Sequence, residues 1–560
     1  MIKSKYELSK IPFTRRGSYI RILLDKDDNI LIGHLTGGDD VEKEIIKIIV
    51  NEKIKDISML PYLLKIEYKV GELYISFSNP NILKIKTYKL PIKLEFLTKS
   101  YDYVIERNNS LIEFNCSHRN NLFLFIKIEE GEYKLINKWN GLRTEYSILS
   151  ITPIRESCEL AVLDFKCENP QYTIPSFDES VNKTRKEFED FSSKFKISNN
   201  NFQITLAKYI LWANTVSPRG LIKYEGYFSS KNKMTNIWSW DVLFTIIPII
   251  EKFPDLSFDN LRIFFSIQGE DGLIPDFIND IYFHENFCKP PIIGYIFKYF
   301  LKNNLIAYED LKEFYEPLKS WGFWWLNHRD DDKDFLIQYN HGNESGWDNS
   351  TVFKKTIPVE SPDLNSYLII LFDLLSDMAQ KLKRYNDYVN FKEISEKLFD
   401  KLIKLWNQNE FIVFDQKHNI VNCNSLQKYI PLILTNKLPL NIIEKIIINI
   451  QKRFITQHGL TTEAIDSPDF DPKGYWRGPI WGPTTFLLTS SLEDLSFKEF
   501  STDIKTKFIK LVLNSYFNEN FDPITGEGLC DTGFSWTSSI FLKFLEEIEK
   551  EGIYETLGKL

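Results

Sequence analysis

The spacing of apolar positions along the chain changes period near residue 170. Before that point, short runs rich in β-branched and aromatic residues recur at 19–24, 72–77, 92–97, 111–116, 122–128 and 159–165. Breaks such as Gly37-Gly38-Asp39-Asp40 and Asn79-Pro80-Asn81 separate them. This pattern predicts an antiparallel β-sandwich over residues 1–170. Alternating charges across 179–194 predict a solvated connecting helix within a linker of residues 171–200. From 201 to 560 the apolar positions follow the 3.6-residue period of helices. Eleven segments read as helical: 202–215, 238–251, 258–267, 291–301, 310–328, 363–384, 388–406, 441–454, 484–492, 497–516 and 535–549. They are joined by loops longer than those of a simple bundle. About twelve helices with such loops fit an α/α toroid with inner and outer helices alternating. No fixed sequence period supports a helical-repeat solenoid. The chain therefore reads as mainly α, an (α/α)6-type domain preceded by a β-sandwich.

Charge and composition narrow the function. The 560 residues carry 69 Lys and Arg against 77 Asp and Glu, a net charge of −8. A mildly acidic chain without a basic block points away from nucleic acid and anionic membrane. No apolar window approaches the roughly 18 uncharged residues of a membrane helix. The polar stretch 1–16 has no apolar signal-peptide core, so the expected location is the cytoplasm. The cysteines, at 116, 158, 167, 288, 423 and 530, form no CxxC pair and read as reduced and buried. The seven histidines form no HExxH, and no metal-ligand spacing is visible. Neither GxGxxG nor a Walker-type loop occurs, so the expectation is an enzyme without cofactor or metal. Aromatic residues, by contrast, make up 15% of the chain, with 12 Trp, 27 Tyr and 43 Phe.

Five loops of the helical half place carboxylates or Arg among Trp, Gly and Pro. They are Asn236-Ile-Trp-Ser-Trp-Asp241; Gly272-Leu-Ile-Pro-Asp276, leading to Lys289-Pro-Pro; His341-Gly-Asn-Glu-Ser-Gly-Trp-Asp-Asn-Ser350; Tyr475-Trp-Arg-Gly-Pro-Ile-Trp481; and Glu519-Asn-Phe-Asp-Pro-Ile-Thr-Gly-Glu527, followed by Phe534-Ser-Trp536. Aromatic faces pack on sugar rings and carboxylates bond hydroxyls, so the loops point to a carbohydrate cleft. With no thiol, metal or phosphate loop, the natural chemistry is glycoside hydrolysis by two carboxyls, one proton donor and one ionised partner. Composition leaves Asp241, Asp276, Glu344, Asp348, Glu463, Glu519, Glu527 and Asp531 all open for those roles. A Ser-His-Asp hydrolase has no G-x-S-x-G elbow to support it.

The segments Glu344–Ser350, Tyr475–Trp481, Glu519–Pro523 and Phe534–Trp536 resemble, in this order, glycoside hydrolase family 63. That family includes processing α-glucosidase and the bacterial mannosylglycerate and glucosylglycerate hydrolases. The resemblance implies an (α/α)6 barrel, inversion at the anomeric carbon and no organic cofactor. It implies that Asp348 is the general acid and Glu519 the general base, about 6.5–9.5 Å apart to admit a water. Glu527 is the rival base. Trp238, Asp241, Trp347, Trp476, Arg477 and Trp536 are implied to line the sugar subsite, with Lys289 reaching it and Glu344 orienting the loop or binding a hydroxyl. The expected activity is that of an inverting, exo-acting α-glycosidase on a small carbohydrate, an α-glucoside or oligosaccharide. The alternatives are hydrolysis of mannosylglycerate or glucosylglycerate, a trehalase-like activity, and a binding protein without catalysis. Trehalases share Glu-Ser-Gly-Trp-Asp but continue differently from the Asn-Ser-Thr-Val-Phe of this chain.

Overall fold

The computed structural model describes residues 5–107, 110–119, 122–165, 173–198 and 201–552. They form two compact units. One comprises Met1–Ile237 with Ile278–Tyr282 and Asp531–Ser538; the other comprises Trp238–Phe277, Phe283–Cys530 and Ser539–Leu560.

The first unit is built on two antiparallel sheets. One runs, in spatial order, Ile20–Leu24, Ile30–His34, Glu44–Ile49, Ile92–Phe96, Thr144–Thr152, Glu132–Trp139. The other runs Ile54–Leu60, Leu63–Tyr68, Glu72–Asn79, Ile82–Tyr88, Ser157–Asp164, Leu122–Glu130, Leu111–Cys116, Tyr103–Arg107. Alternation decides which face is buried: in Leu63–Tyr68 every second residue is buried. Phe96 of the first sheet meets Phe114 of the second edge-on, ring centroids 5.1 Å apart, so the two sheets pack as a sandwich. The helix after it, Phe177–Ser192, starts at a capping box: the Glu179 amide donates to Ser176 Oγ, and the Ser176 amide to Glu179 Oε2. It is not the solvated connector expected of its charges. Phe177, Phe188 and Phe191 are buried, the helix packs on strand Glu72–Asn79, and Thr184 Oγ1 donates to the Phe77 carbonyl at 2.5 Å. Three phenylalanines at helical spacing outweigh a charged outer face.

From Phe202 to Lys550 the described residues form eleven α-helices and four 3-10 elements, the longest being Leu426–Lys437. The eleven helices fall on the eleven predicted segments. That longest 3-10 element carries no readable period because Pro431 interrupts it and Thr435 turns the backbone to φ 49°. Burial alternates along the chain as a double ring requires. Helix Pro362–Lys381 buries 16 of its 20 residues, whereas the next, Tyr385–Lys404, buries only four, Phe391, Ser395, Leu398 and Leu402. Pro362–Lys381 packs against both Ile293–Lys302 and Leu426–Lys437, and the latter packs against Gly482–Asp494. These are neighbours around the inner ring of an (α/α)6 barrel. No helix among the described residues is long and apolar enough to cross a membrane.

The inner ring is closed tightly at Gly294, where an added Cβ would lie 2.7 Å from the Leu371 Cα. Helix propensity alone favours Gly294→Ala by roughly 1 kcal/mol. The contact reverses that sign: we expect a loss of about 1–3 kcal/mol, as for an overpacked core, read from the midpoint of urea unfolding.

Candidate active site

The second unit brings the chemistry-bearing loops together through aromatic stacking. Trp476 lies flat on Trp481, centroids 3.9 Å apart and planes 7° from parallel, and Trp347 leans on Trp476 at 4.8 Å. Trp240 closes the group from the edge of Trp476 at 6.2 Å. Gly346 sits at φ 75°, and a Cβ there would lie 2.9 Å from the Trp240 ring, so only glycine serves. Asn349 then clamps the two central loops. Its Oδ1 accepts from the Trp476 amide at 2.9 Å, and its Nδ2 donates to the Gly474 carbonyl at 3.0 Å. The Trp481 indole donates to the Tyr475 carbonyl at 3.0 Å, holding Tyr475 at φ 63°.

These contacts present two carboxyls in contrasting settings. Asp348, next to Asn349, has a side chain 40% exposed, yet its Oδ1 is shut from solvent and accepts no hydrogen bond. Burial pushes the Asp348 carboxyl above the ordinary carboxylate range; Lys289 and His341 pull it down, and Asp276 pushes it up. Glu519 is only 6% exposed, and its Oε1 accepts from the Tyr475 hydroxyl at 3.0 Å. That phenol is held well above its ordinary pKa, first by burial and then by the charges of Glu519 and Asp348, so it stays a donor. Asp241, on the first turn of Asp241–Ile246, also acts on the phenol. Tyr475 thus lies among three carboxylates. A cleft of about 630 Å³ opens beside Asp348, bordered by His341, Phe353, Lys355, Ile357 and Arg477 among others.

Several residues expected at the sugar subsite have other surroundings. Trp347 and Trp476 are 0% and 2% exposed: their faces are spent on each other and on Trp481, which makes them the frame of the site. Glu344 is 2% exposed, paired with Arg329 at 2.5 Å and accepting the Asn340 amide at 2.7 Å, contacts that brace its loop. The Glu527 side chain is 62% exposed and bonds Lys473 at 3.0 Å. Trp536, 3% exposed, packs on Phe534 within the first unit at 4.6 Å. Trp238 is half-buried, tilted against Phe277 at 4.6 Å, with Lys289 Nζ 5.5 Å from its centroid. Arg477 borders the cleft, 3.5 Å from Asp471. Sequence reasoning passed over Tyr475 and Asn349, although both lie inside the motifs it singled out.

Thiol chemistry gains nothing here. Cys116, Cys158, Cys288 and Cys423 are buried free thiols, and burial pushes Cys288 well up and Cys423 to about 11. Cys530 is exposed, and Cys167 lies outside the described residues. One carboxylate cluster escaped the sequence reading because its members are scattered. Asp332, Glu360 and His418 approach one another, with Asp330 and Asp334 beside Asp332, and burial with these like charges pushes Glu360 up to about 8.

An α/α barrel that presents two carboxyls on separate loops among aromatic rings is a glycoside hydrolase scaffold. The model of the mannosylglycerate hydrolase MGH1-like glycoside hydrolase domain matches residues 234–537, and the chain belongs to that family, within glycoside hydrolase family 63. Mannosylglycerate hydrolase MGH1 of Selaginella moellendorffii is 19% identical over 411 residues, 59% of this chain and 82% of that protein. Mannosylglycerate hydrolase of Thermus thermophilus is 34% identical over 76 residues, which span 14% of this chain and only 18% of the relative. A GH63 mannosylglycerate hydrolase from Thermus thermophilus, solved in complex with glucose, superposes with a TM-score of 0.54 at 18% identity, over 61% of this chain and 99% of its own. A bacterial glucoamylase complexed with acarbose superposes with a TM-score of 0.61 at 13% identity, over 98% of this chain and 96% of its own. Both share the fold.

The loop clamp is open to test. Asn349→Ala removes two bonds and strands the Trp476 amide, a loss of about 1–3 kcal/mol for each unsatisfied buried group. Thermal stability and kcat should fall together. Glu527→Ala, on the surface, should leave thermal stability unchanged.

Proposed function

We propose that this protein hydrolyses an α-glycosidic bond in one step with inversion, and that its substrate is a small α-mannosyl or α-glucosyl glycerate. Asp348 gives its proton to the leaving oxygen while Glu519 takes one from the attacking water. The reading rests above all on the contrast between the two carboxyls. An acid must hold a proton near neutral pH, and burial of Asp348 Oδ1 favours the neutral form. A base must be ionised, and the Tyr475 hydroxyl bonded to Glu519 Oε1 favours the carboxylate. Both lie inside the segment matched by the family model.

The choice of substrate follows the relatives, which are named for mannosylglycerate and glucosylglycerate. It departs from the simple α-glucoside that the sequence motifs put first. The cations that border the cleft beside Asp348, namely Lys354, Lys355 and Arg477, suit an aglycone with a carboxylate. Trp238 and Asp241 supply a ring face and a hydroxyl acceptor for the sugar.

Purified protein offered α-mannosylglycerate, α-glucosylglycerate, α,α-trehalose and aryl α-glucosides should cleave a glycosylglycerate best. Asp348→Asn and Glu519→Gln should each fold normally and lose roughly 10²–10⁴-fold in kcat. Activity on α-glucosides alone would return the substrate to the simpler reading. A fully active Glu519→Gln beside an inactive Glu527→Gln would move the base. The alkaline limb of kcat/KM should report Asp348 and lie above the ordinary carboxylate value of about 3.9.

A further inference from the structure

Behind Asp348 lies a buried charge cluster that sequence motifs do not assign. Lys289 is 7% exposed. Its ammonium has three protons, and two are committed to Asn343, at 2.9 Å from the carbonyl and 2.6 Å from Oδ1. Two carboxylate oxygens face the third: Asp276 Oδ1 at 3.2 Å and Asp348 Oδ1 at 3.9 Å. Both oxygens are buried and accept no hydrogen bond. Asn343 locks the cluster from the other side, donating from Nδ2 to Asp276 Oδ2 at 2.8 Å.

The geometry points to Asp276 and Lys289 as a positioning pair that keeps the proton on Asp348, Asp276 cancelling the ammonium charge that would otherwise drive Asp348 to ionise. The inference rests on Asp348 being the acid of the proposed reaction. Two carboxylates share one cation, so the cluster is neutral only when one carboxyl is protonated. Asp276 is nearer to Lys289 and tied to Asn343, which leaves Asp348, the one that opens on the cleft, to carry the proton. Lys289 accordingly serves the acid from behind, its third proton turned to the two carboxylates.

Other charged groups face this cluster and bear on its titration. His341 belongs to the loop of Asp348 and lowers its proton affinity, as does the amide of Asp348 itself. His284 Nδ1 lies 4.0 Å from Asp276 Oδ2, the oxygen that accepts from Asn343. Across the site, Tyr475 is under the charges of Glu519, Asp348 and Asp241. Lys354, Lys355 and Arg477 line the cleft. Substitutions confined to Asp276 and Lys289 leave all of these in place.

The test is a charge-compensation cycle. Asp276→Asn keeps an oxygen for Asn343 but frees the charge of Lys289. The alkaline limb of kcat/KM should move down by about one pH unit or more, as for a carboxyl beside an uncompensated cation. Lys289→Met should move it up. The double variant should return most of the way to wild type, a rescue that lost packing could not produce. Singles that leave the limb in place, or a double no nearer to wild type than Asp276→Asn, would overturn the pairing. So would a Lys289→Met variant that raises KM with the limb unmoved, since that marks a substrate contact. Carbon-13 NMR of labelled aspartate carboxyls, with Asp348 assigned by Asp348→Asn, follows the same proton without turnover. The same three shifts are expected there even if no α-glycoside is cleaved, which separates failure of this inference from failure of the proposed reaction.

Discussion

The site depends on the stack of Trp347, Trp476 and Trp481. The proposed acid and base stand on loops far apart in sequence, and each loop alone is a run of turns with little core of its own. Flat contact between Trp476 and Trp481 at 3.9 Å, with Trp347 leaning on the pair, gives the loop of Asp348 and the loop of Tyr475 a shared apolar centre. Aromatic pairs of this kind contribute about 0.5–1.5 kcal/mol beyond the area they bury. Asn349 converts that contact into a fixed register, because its two bonds tie the residue after Asp348 to the backbone on either side of Tyr475. Tyr475 passes the constraint on to Glu519 through its hydroxyl. In the proposed reaction the tryptophans act indirectly, by holding carboxyls.

Electrostatics completes what packing begins. One Asp348 oxygen is withdrawn from water and faces Lys289, and an Asp276 oxygen faces the same ammonium. Desolvation favours the neutral acid, the cation opposes it, and the second carboxylate restores it. Glu519 is more deeply buried than Asp348 and has a hydroxyl donor at its oxygen. The two carboxyls are thus set in contrasting surroundings by their neighbours, as the proposed single-step glycoside hydrolysis requires.

Much of this was legible in the sequence, for identifiable reasons. Helix periodicity survives in 12- to 21-residue segments such as Phe202–Ala213 and Tyr308–His328, and those were placed to within a few residues. The 3-10 element Leu426–Lys437 was not, because a proline and a left-handed Thr435 erase the period. In the sandwich, strands such as Glu132–Trp139 went unread because an exposed strand shows little alternation: Trp139 is 56% exposed. At the site, motif residues were found, but their directions were not. Trp347, Trp476 and Glu344 lie in the most recognisable loops and yet face inward, because a motif records which residues meet and not which side of them meets solvent. Asp276 stood among the open carboxylates with nothing to distinguish it. Its proposed role follows from a lysine 13 positions further on, and only the fold brings Asp348 to the same ammonium.

The central claim is a single displacement at the anomeric carbon by water that Glu519 activates. Proton NMR of the first minutes of hydrolysis, before mutarotation, tests it most directly, and the outcome does not depend on which α-linked sugar is cleaved. The account predicts the β-anomer of the released sugar first. Initial release of the α-anomer would mean a covalent glycosyl intermediate and a double displacement, and would contradict it.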